Sequence, residues 1–263
     1  MNVVRTINDL RTALAGPRQT SRIALVPTMG ALHAGHVALF DAARKAADLV
    51  VASIFINPTQ FGEKEDFTAY PRDEAKDLQV ASAASVDVVF APSVDELYPP
   101  GFATWVTVEG PALGLEGEFR PGHFRGVATV CVKLFTAVEP HVAFFGQKDA
   151  QQVAVVKRVV RDLNLDLEIR VVPVARDADG LALSSRNARL SKEERARALA
   201  IPRALDAGLS AWRQQRDPVS AARDQLSGLE VDYVAVADFD GQPTLAIAAR
   251  VGRTRLIDNV LLV

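Results

Sequence analysis

Short apolar runs alternate with amphipathic stretches through the first two thirds of the chain. RIALVPT (residues 22–28) predicts a buried strand. HVALFDAARKAADL (36–49) sets apolar residues at helical spacing, with Asp41, Arg44, Lys45 and Asp48 on a wetter face. VVASIFIN (50–57) is β-branched and nearly continuous, as expected of a strand covered on both faces. DEAKDLQVASAA (73–84) predicts a helix and VDVVFAP (86–92) a third strand. GFATWVTVEG (101–110) alternates and predicts an outlying strand, leading into a Gly/Pro-rich stretch, GPALGLEGEFRPGH (110–123), that predicts a long ordered loop or lid. Helix FRGVATVCVKLFTAV, strand HVAFFG, helix DAQQVAVVKRVVRDL and strand LEIRVVPVA follow in turn. The N-terminal MNVVRTINDLRTAL reads as a strand and a polar helix rather than a signal peptide.

Repeated β-α-β units of this kind predict an α/β fold with a Rossmann-like, doubly wound parallel sheet. Such sheets bind ligands beyond the C-terminal ends of their strands. The character changes near residue 175. DADGLALSSRNARL is a polar loop, and a Ser-x-x-Glu capping box (Ser191, Glu194) opens the helical SKEERARALAIPRAL. A second helix over PVSAARDQLSGL precedes a strand-rich tail. The division expected is a Rossmann-like domain over 1–175 and a smaller C-terminal α+β domain over 176–263.

Composition narrows the function classes. The 263 residues are 49% apolar and 24% charged, enough for a sizeable core. A net charge of -2 and a pI near 6.1 favour neither nucleic acid nor an anionic membrane as partner. No apolar stretch is long and charge-free enough to span a bilayer, so the cytoplasm is the expected location. The one cysteine, Cys131, lies in an apolar run and reads as a buried hydrophobe.

Candidate chemistry gathers at strand ends. PTMGALHAGH (27–36) holds two of the four histidines, between a strand and a helix. A helix N-terminus offers backbone N–H groups and positive potential that suit phosphate. Ring N–H groups add donors that stabilise a departing pyrophosphate. Two surface or capping histidines are one other reading, and a metal pair is a second, though no carboxylate or third histidine lies nearby in sequence. INPTQFG follows the next strand and supplies Asn57 and Gln60, uncharged amides suited to a hydroxyl- or carboxylate-bearing ligand. FFGQKDAQQ repeats the strand–Gly–helix arrangement with Lys148, Asp149, Gln151 and Gln152. DGLALSSRN offers Ser184, Ser185 and Arg186 as a phosphate clamp. Glu116, Arg120, His123 and Arg125 lie in or beside the long loop, and either arginine could pair a substrate carboxylate. A P-loop, a G-x-G-x-x-G turn and a G-x-S-x-G elbow are all missing from the sequence.

The H-x-G-H of His33 to His36 resembles the signature of the HIGH nucleotidyltransferase superfamily, and Ser184-Ser185-Arg186 its second phosphate motif. PTMGALHAGH, SIFINPTQFG, YPR, FFGQKD-QQ and DGLALSSRN, in that order, resemble the pantothenate synthetase (pantoate–β-alanine ligase) family, and the likeness extends to the tail RVGRTRLIDN. The resemblance implies an ATP-dependent ligase. ATP and pantoate would give pantoyl adenylate and pyrophosphate, and β-alanine would then give pantothenate and AMP. Residues 1–175 would bind nucleotide and pantoate, with 176–263 as a lid domain. The resemblance implies an ATP site lined by Met29, Gly30, Ala31, Leu32, His33, Ala34, Gly35 and His36. Gly146, Gln147, Lys148, Asp149, Ala175, Leu183, Ser184, Ser185 and Arg186 would join them. His36, His33 and Lys148 would be catalytic, with His36 matching the usual proton donor. Gln60 and Gln152 would bind pantoate. Mg²⁺ and a homodimer are implied as well, with no metal ligand assigned. Gln147 departs from the family's more frequent Glu.

Two other readings compete. Another adenylyl- or cytidylyltransferase of the superfamily would release a dinucleotide-like product, and INPTQF with its paired glutamines favours a small hydroxy acid instead. A non-catalytic nucleotide-binding module would have less need of the histidines, Lys148 and Ser-Ser-Arg.

Overall fold

The β-α-β rhythm folds into parallel strands that wind outward in both directions from one central strand. The computed structural model describes residues 1–62, 67 and 70–263. These divide into two units, Met1–Gly146 with Val155–Val172 and Gln147–Ala154 with Pro173–Val263.

The first unit runs β1 (Asn2–Val4), α1 (Ile7–Ala15), β2 (Ile23–Thr28), α2 (Ala34–Ala46), β3 (Leu49–Ile54), α3 (Glu74–Ala83), β4 (Val88–Phe90), α4 (Val94–Leu97), α5 (Glu116–Phe119), α6 (His123–Val138) and β5 (Val142–Gly146). Helix α7 (Ala150–Asp162) begins among the residues of the second unit and ends in the first, and β6 (Glu168–Val172) completes the sheet. The strand order is β1-β4-β3-β2-β5-β6, all parallel, as the sequence pattern predicts. Register runs from Ile23 opposite Leu49 to Thr28 opposite Ile54, and Ala24 lies opposite Val142. The chain moves away from β2 through β3 and β4 on one side, and through β5 and β6 on the other. The order therefore reverses at β2 and β5, where open α/β sheets bind ligands.

Small and β-branched residues let helices lie close to this sheet. Ala24, Val26, Val50, Ala52, Val89, Val142 and Phe144 pack with Phe40 and Ala43 of α2 and Ala81 of α3. On α6, buried Phe124 and Ala128 pack with Val155 and Val159 of α7.

The stretch 101–110 is not a strand. Residues 102–109 adopt no regular secondary structure and pair with no strand among the described residues. Val106 donates its N–H to Thr129 Oγ1 on α6 at 3.0 Å. Val106 and Val108 pack against the Phe124 cluster while Thr107 and Glu109 face outward. The alternation records one-sided burial rather than a hydrogen-bonded ladder.

The second unit holds α8 (Lys192–Ala198), α9 (Ala200–Arg213), α10 (Pro218–Asp224) and the antiparallel sheet β7 (Glu230–Asp238), β8 (Pro243–Val251) and β9 (Thr254–Leu261). Ile201, Leu205, Leu245, Ile247 and Leu256 are buried together. The Ser191–Glu194 capping box forms as expected. The helix it opens does not run on through residue 205 but breaks at Leu199. Pro202 has no N–H to give Ala198, and its ring crowds that carbonyl.

Candidate active site

The histidine turn leaves the C-terminal end of β2, at the point where the sheet order reverses. Thr28 Oγ1 donates to Ser53 O at 2.6 Å and accepts the N–H of Gly30 at 3.2 Å, tying the turn to β3. Gly30 (φ +77°) and Ala31 (φ +51°) then reverse the chain in left-handed conformations. A Cβ on Gly30 would lie 2.7 Å from Asp77 Oδ2, so glycine is needed for both backbone and space. Asp77, buried on α3, accepts the N–H of Ala31 at 2.9 Å and of Leu32 at 2.7 Å, one on each oxygen.

His33 and His36 form the capping box of α2. His33 Nδ1 accepts the N–H of Gly35 at 3.1 Å, and His36 Nδ1 accepts that of His33 at 3.2 Å. The ring centroids are 4.2 Å apart. A nitrogen that accepts carries no proton, so in each neutral ring the proton sits on Nε2. The backbone N–H groups of Ala31, Leu32, His33 and Gly35 are thus used inside the turn. The sequence pattern suggests backbone amides as phosphate donors at this turn, and these four already have partners within the protein.

Gln60 is held beside this turn. Asn57, 1% exposed, donates from Nδ2 to Gln60 Oε1 at 3.0 Å and to Gly126 O at 3.2 Å. Its Oδ1 accepts the N–H and hydroxyl of Thr59 at 3.3 and 2.9 Å. The Thr59 proton being committed, the Tyr98 hydroxyl 3.3 Å away is the donor between them. Burial pushes the Tyr98 phenol above its ordinary pKa, against the opposing bond to Thr59. Gln60 Nε2 lies 3.1 Å from Met29 Sδ, joining the amide to the residue that opens the histidine turn. Helix α6 fits here through Gly126, where any Cβ would strike the Thr59 carbonyl.

His123 fixes the same residue from its backbone. Arg120 Nη1, which can only donate, lies 3.0 Å from His123 Nε2. The other nitrogen, Nδ1, therefore carries the proton and donates to Gln60 O at 2.9 Å. Glu116 lies 3.8 Å from Arg120. Three of the loop candidates thus form a support beneath Gln60. Arg125 instead lies over the Trp105 ring, 4.6 Å from its centroid.

In the second unit a 3-10 turn, Gln147–Asp149, carries Lys148, whose ammonium is 3.6 Å from Asp149 Oδ1. Gln151 and Gln152 follow in the first turn of α7, Gln151 buried and Gln152 half-buried. Arg176 and Ala182 pair across a short hairpin, and Leu183 donates its N–H to Ala175 O at 2.9 Å. Ser184 then caps the 3-10 helix Ser185–Arg189, accepting the N–H of Arg186 at 3.2 Å. Ser184, Ser185 and Arg186 therefore follow directly from the hairpin that holds Ala175. No group of three or more His, Cys, Asp or Glu suited to a metal occurs among the described residues.

A family model described as pantoate-beta-alanine ligase matches residues 2–261. The chain belongs to the pantoate–β-alanine ligase family. A pantothenate synthetase of Moorella thermoacetica is 50% identical over 100% of this chain and 99% of the relative. One from Rhizorhabdus wittichii is 51% identical over 99% and 98%. The crystal structure of pantothenate synthetase from Thermus thermophilus superposes with a TM-score of 0.95 at 45% identity, covering 100% of this chain and 99% of that one. A Francisella tularensis pantoate-beta-alanine ligase, complexed with beta-gamma ATP and beta-alanine, gives 0.88 at 34% identity over 100% and 98%.

Three residues that hold the candidate turns are missing from the sequence reading. Asp77 sits four residues before Ala81 on the buried stripe of α3, and a carboxylate on an apolar stripe is the signal that marks it. Asp258 and Asn259 interrupt the apolar run of β9 in the same way, and both are buried.

Proposed function

We propose that this ligase joins pantoate to β-alanine in two steps, driven by ATP. A pantoate carboxylate oxygen attacks the α-phosphorus of ATP. The bond to the β-phosphate bridging oxygen breaks, and pyrophosphate leaves. The β-alanine amine then attacks the acyl carbon of pantoyl adenylate. AMP departs with the acyl oxygen's electron pair, the amine loses a proton, and pantothenate forms.

The observation that supports this reading is the pair of backbone bonds accepted by His33 Nδ1 and His36 Nδ1 just past the central strand, which leaves the proton of each neutral ring on Nε2. The role of these Nε2–H groups is to take up charge on the phosphates as pyrophosphate departs, with His36 at the reacting centre. Met29, Gly30, Ala31, Leu32, Ala34 and Gly35 shape the nucleotide site around them. Gln60 and Gln152 bind pantoate through uncharged amides, which leave the carboxylate nucleophilic. Lys148, Ser184, Ser185 and Arg186 hold phosphates, and Asp149 meets the ribose. Gly146, Gln147, Ala175 and Leu183 contribute backbone and shape, with Ala175 at the adenine. No protein nucleophile is needed, because adenylation alone turns the carboxylate oxygen into a leaving group.

Magnesium would accompany the triphosphate, taking most of its ligands from phosphate oxygens and water. It supplies neutralisation of phosphate charge. No helix among the described residues is long and apolar enough to cross a membrane. The proposed setting is cytoplasmic and the proposed assembly a homodimer, which sedimentation tests directly.

The deciding assay mixes protein, ATP, Mg²⁺ and D-pantoate and follows pyrophosphate, then AMP once β-alanine is added. Pyrophosphate release that depends on pantoate is the expected result. Its absence overturns the reading, and a dinucleotide-like product would point to a nucleotidyltransferase instead.

A further inference from the structure

The polar pair Asp258–Asn259 on β9 has no part in the chemistry above, yet it joins the two loops of the second unit that carry the proposed ATP ligands. Asn259 Nδ2 donates to Gln147 O and to Lys148 O, each at 2.9 Å, and its Oδ1 accepts from Gln147 Nε2 at 3.3 Å. The side chain thus grips the backbone of the Lys148 turn with its full donor capacity. Asp258, next along the strand, takes a forked pair of bonds from Arg176, with Nη1 at 2.6 Å and Nη2 at 3.1 Å. Arg176 Nη1 also donates to Gly180 O at 3.1 Å, closing the hairpin on which Ala175 and Leu183 pair. Asn259 N–H donates to Asp258 Oδ1 at 2.8 Å, so the two grips are coupled to each other.

Both side chains are buried, with exposures of 3% and 4%. Their polar atoms are matched to the loops they hold. Gln147 and Lys148 present carbonyl oxygens, which only a donor satisfies, and Arg176 presents a fork, which a carboxylate matches in two places. Consecutive strand residues point to opposite sides, so one strand reaches two separate loops with neighbouring residues. The hairpin is held from its other side by Arg195 of α8, which bonds Asp177 at 2.6 Å and Asp179 at 2.9 Å.

We infer that Asp258 and Asn259 are positioning residues for ATP, setting the Lys148 turn and the Ala175–Leu183 hairpin in the register that one nucleotide requires. The inference rests on the ligase reading for its ligand. Small displacements of such groups are costly, because binding and transfer depend on distances held within a fraction of an ångström.

Asn259→Asp is the sharpest test. It keeps size and shape but sets a carboxylate oxygen against two carbonyls. The measurements are calorimetric binding of a β,γ-imido ATP analogue with Mg²⁺, and steady-state kinetics with each substrate varied. Binding should weaken by about tenfold or more, with a matching rise in KM for ATP and KM values for pantoate and β-alanine within about twofold of wild type. A purely structural defect lowers the active fraction, and so kcat, without moving KM for ATP. Should Asn259→Asp not fold, Arg176→Lys keeps the charge, removes the fork and is expected to weaken analogue binding by about threefold or more. Wild-type affinity in the folded variants, or a loss confined to kcat, overturns the inference. Wild-type protein that binds the analogue yet releases no pantoate-dependent pyrophosphate would overturn the ligase reading alone.

Discussion

Backbone N–H groups at the start of α2 fix the tautomers of His33 and His36. His36 Nδ1 accepts the backbone N–H of His33, and His33 Nδ1 accepts that of Gly35, so both rings cap α2 and both keep their proton on Nε2. The cap uses Nδ1 of each ring, and the proposed phosphate contacts use Nε2, so the two roles are separable by mutation.

His36→Asn retains an acceptor close to the Nδ1 position and removes the distal N–H. Pantoate-dependent pyrophosphate release should fall by about 10²-fold to 10³-fold. The melting temperature should stay within about 4 °C of wild type, because the cap is preserved. Near-normal turnover would show that the pair is only a cap.

Asp77→Asn leaves one good acceptor for two N–H groups, and its own NH₂ then opposes either Ala31 or Leu32. A cost of about 1–3 kcal/mol in urea unfolding is expected. Turnover should drop by about tenfold through displacement of the histidine turn, whose Ala31 and Leu32 N–H groups Asp77 holds. Unchanged stability and rate would remove Asp77 from the site.

Asn57→Asp exchanges the donor that faces Gln60 Oε1 and Gly126 O for a carboxylate oxygen. Gln60 then loses the bond that aims its amide. KM for pantoate should rise by about tenfold, with KM for ATP within about twofold of wild type. An equal rise for both substrates would mean that the buried amide supports the whole sheet edge instead.

Cys131 is fully buried in α6, and burial pushes its thiol up to about 12. The thiolate is the reactive form, so iodoacetamide should label native protein at about pH 8 far more slowly than protein unfolded in guanidinium. The shift also sets a sign for stability. Between the ordinary value of 9.0 and about 12 the unfolded chain releases this proton while the folded chain keeps it. Stability therefore falls as pH rises through that window, by at most about 1.4 kcal/mol per pH unit from this group. The difference between wild type and Cys131→Ala in urea titrations across that range isolates the effect. A flat difference would contradict it.

The candidate residues were legible where chemistry-bearing side chains stand next to strand ends. His33, His36, Gln60 and Lys148 all lie a few residues past apolar runs that are strands in the structure. Asn57 was visible as an amide, but not as the buried anchor of Gln60. Glu116, Arg120 and His123 read as charged loop residues, whereas they form a relay that ends on the Gln60 backbone. Asp77, Asp258 and Asn259 carried a weaker mark, a polar residue on an apolar face, which says that a partner exists without saying which. The segment 102–109 shows the converse, since alternation alone does not supply a neighbouring strand.

The amino-acid sequence by itself determined the order of strands and helices, the parallel winding of the first sheet and the residues able to meet phosphate and amide-binding ligands. Those depend on periodicity and on residue type within a few positions, and both are local. Only the tertiary structure decided which nitrogen of each histidine accepts a backbone N–H, why Gly30 must be glycine beside Asp77, and how β9 reaches the Lys148 turn. Most of these are contacts between residues tens to more than a hundred positions apart (the Asn259 side chain on the Lys148 carbonyl among them). Their partners are chosen by packing, because a buried donor or acceptor must find its match wherever the fold brings one within reach.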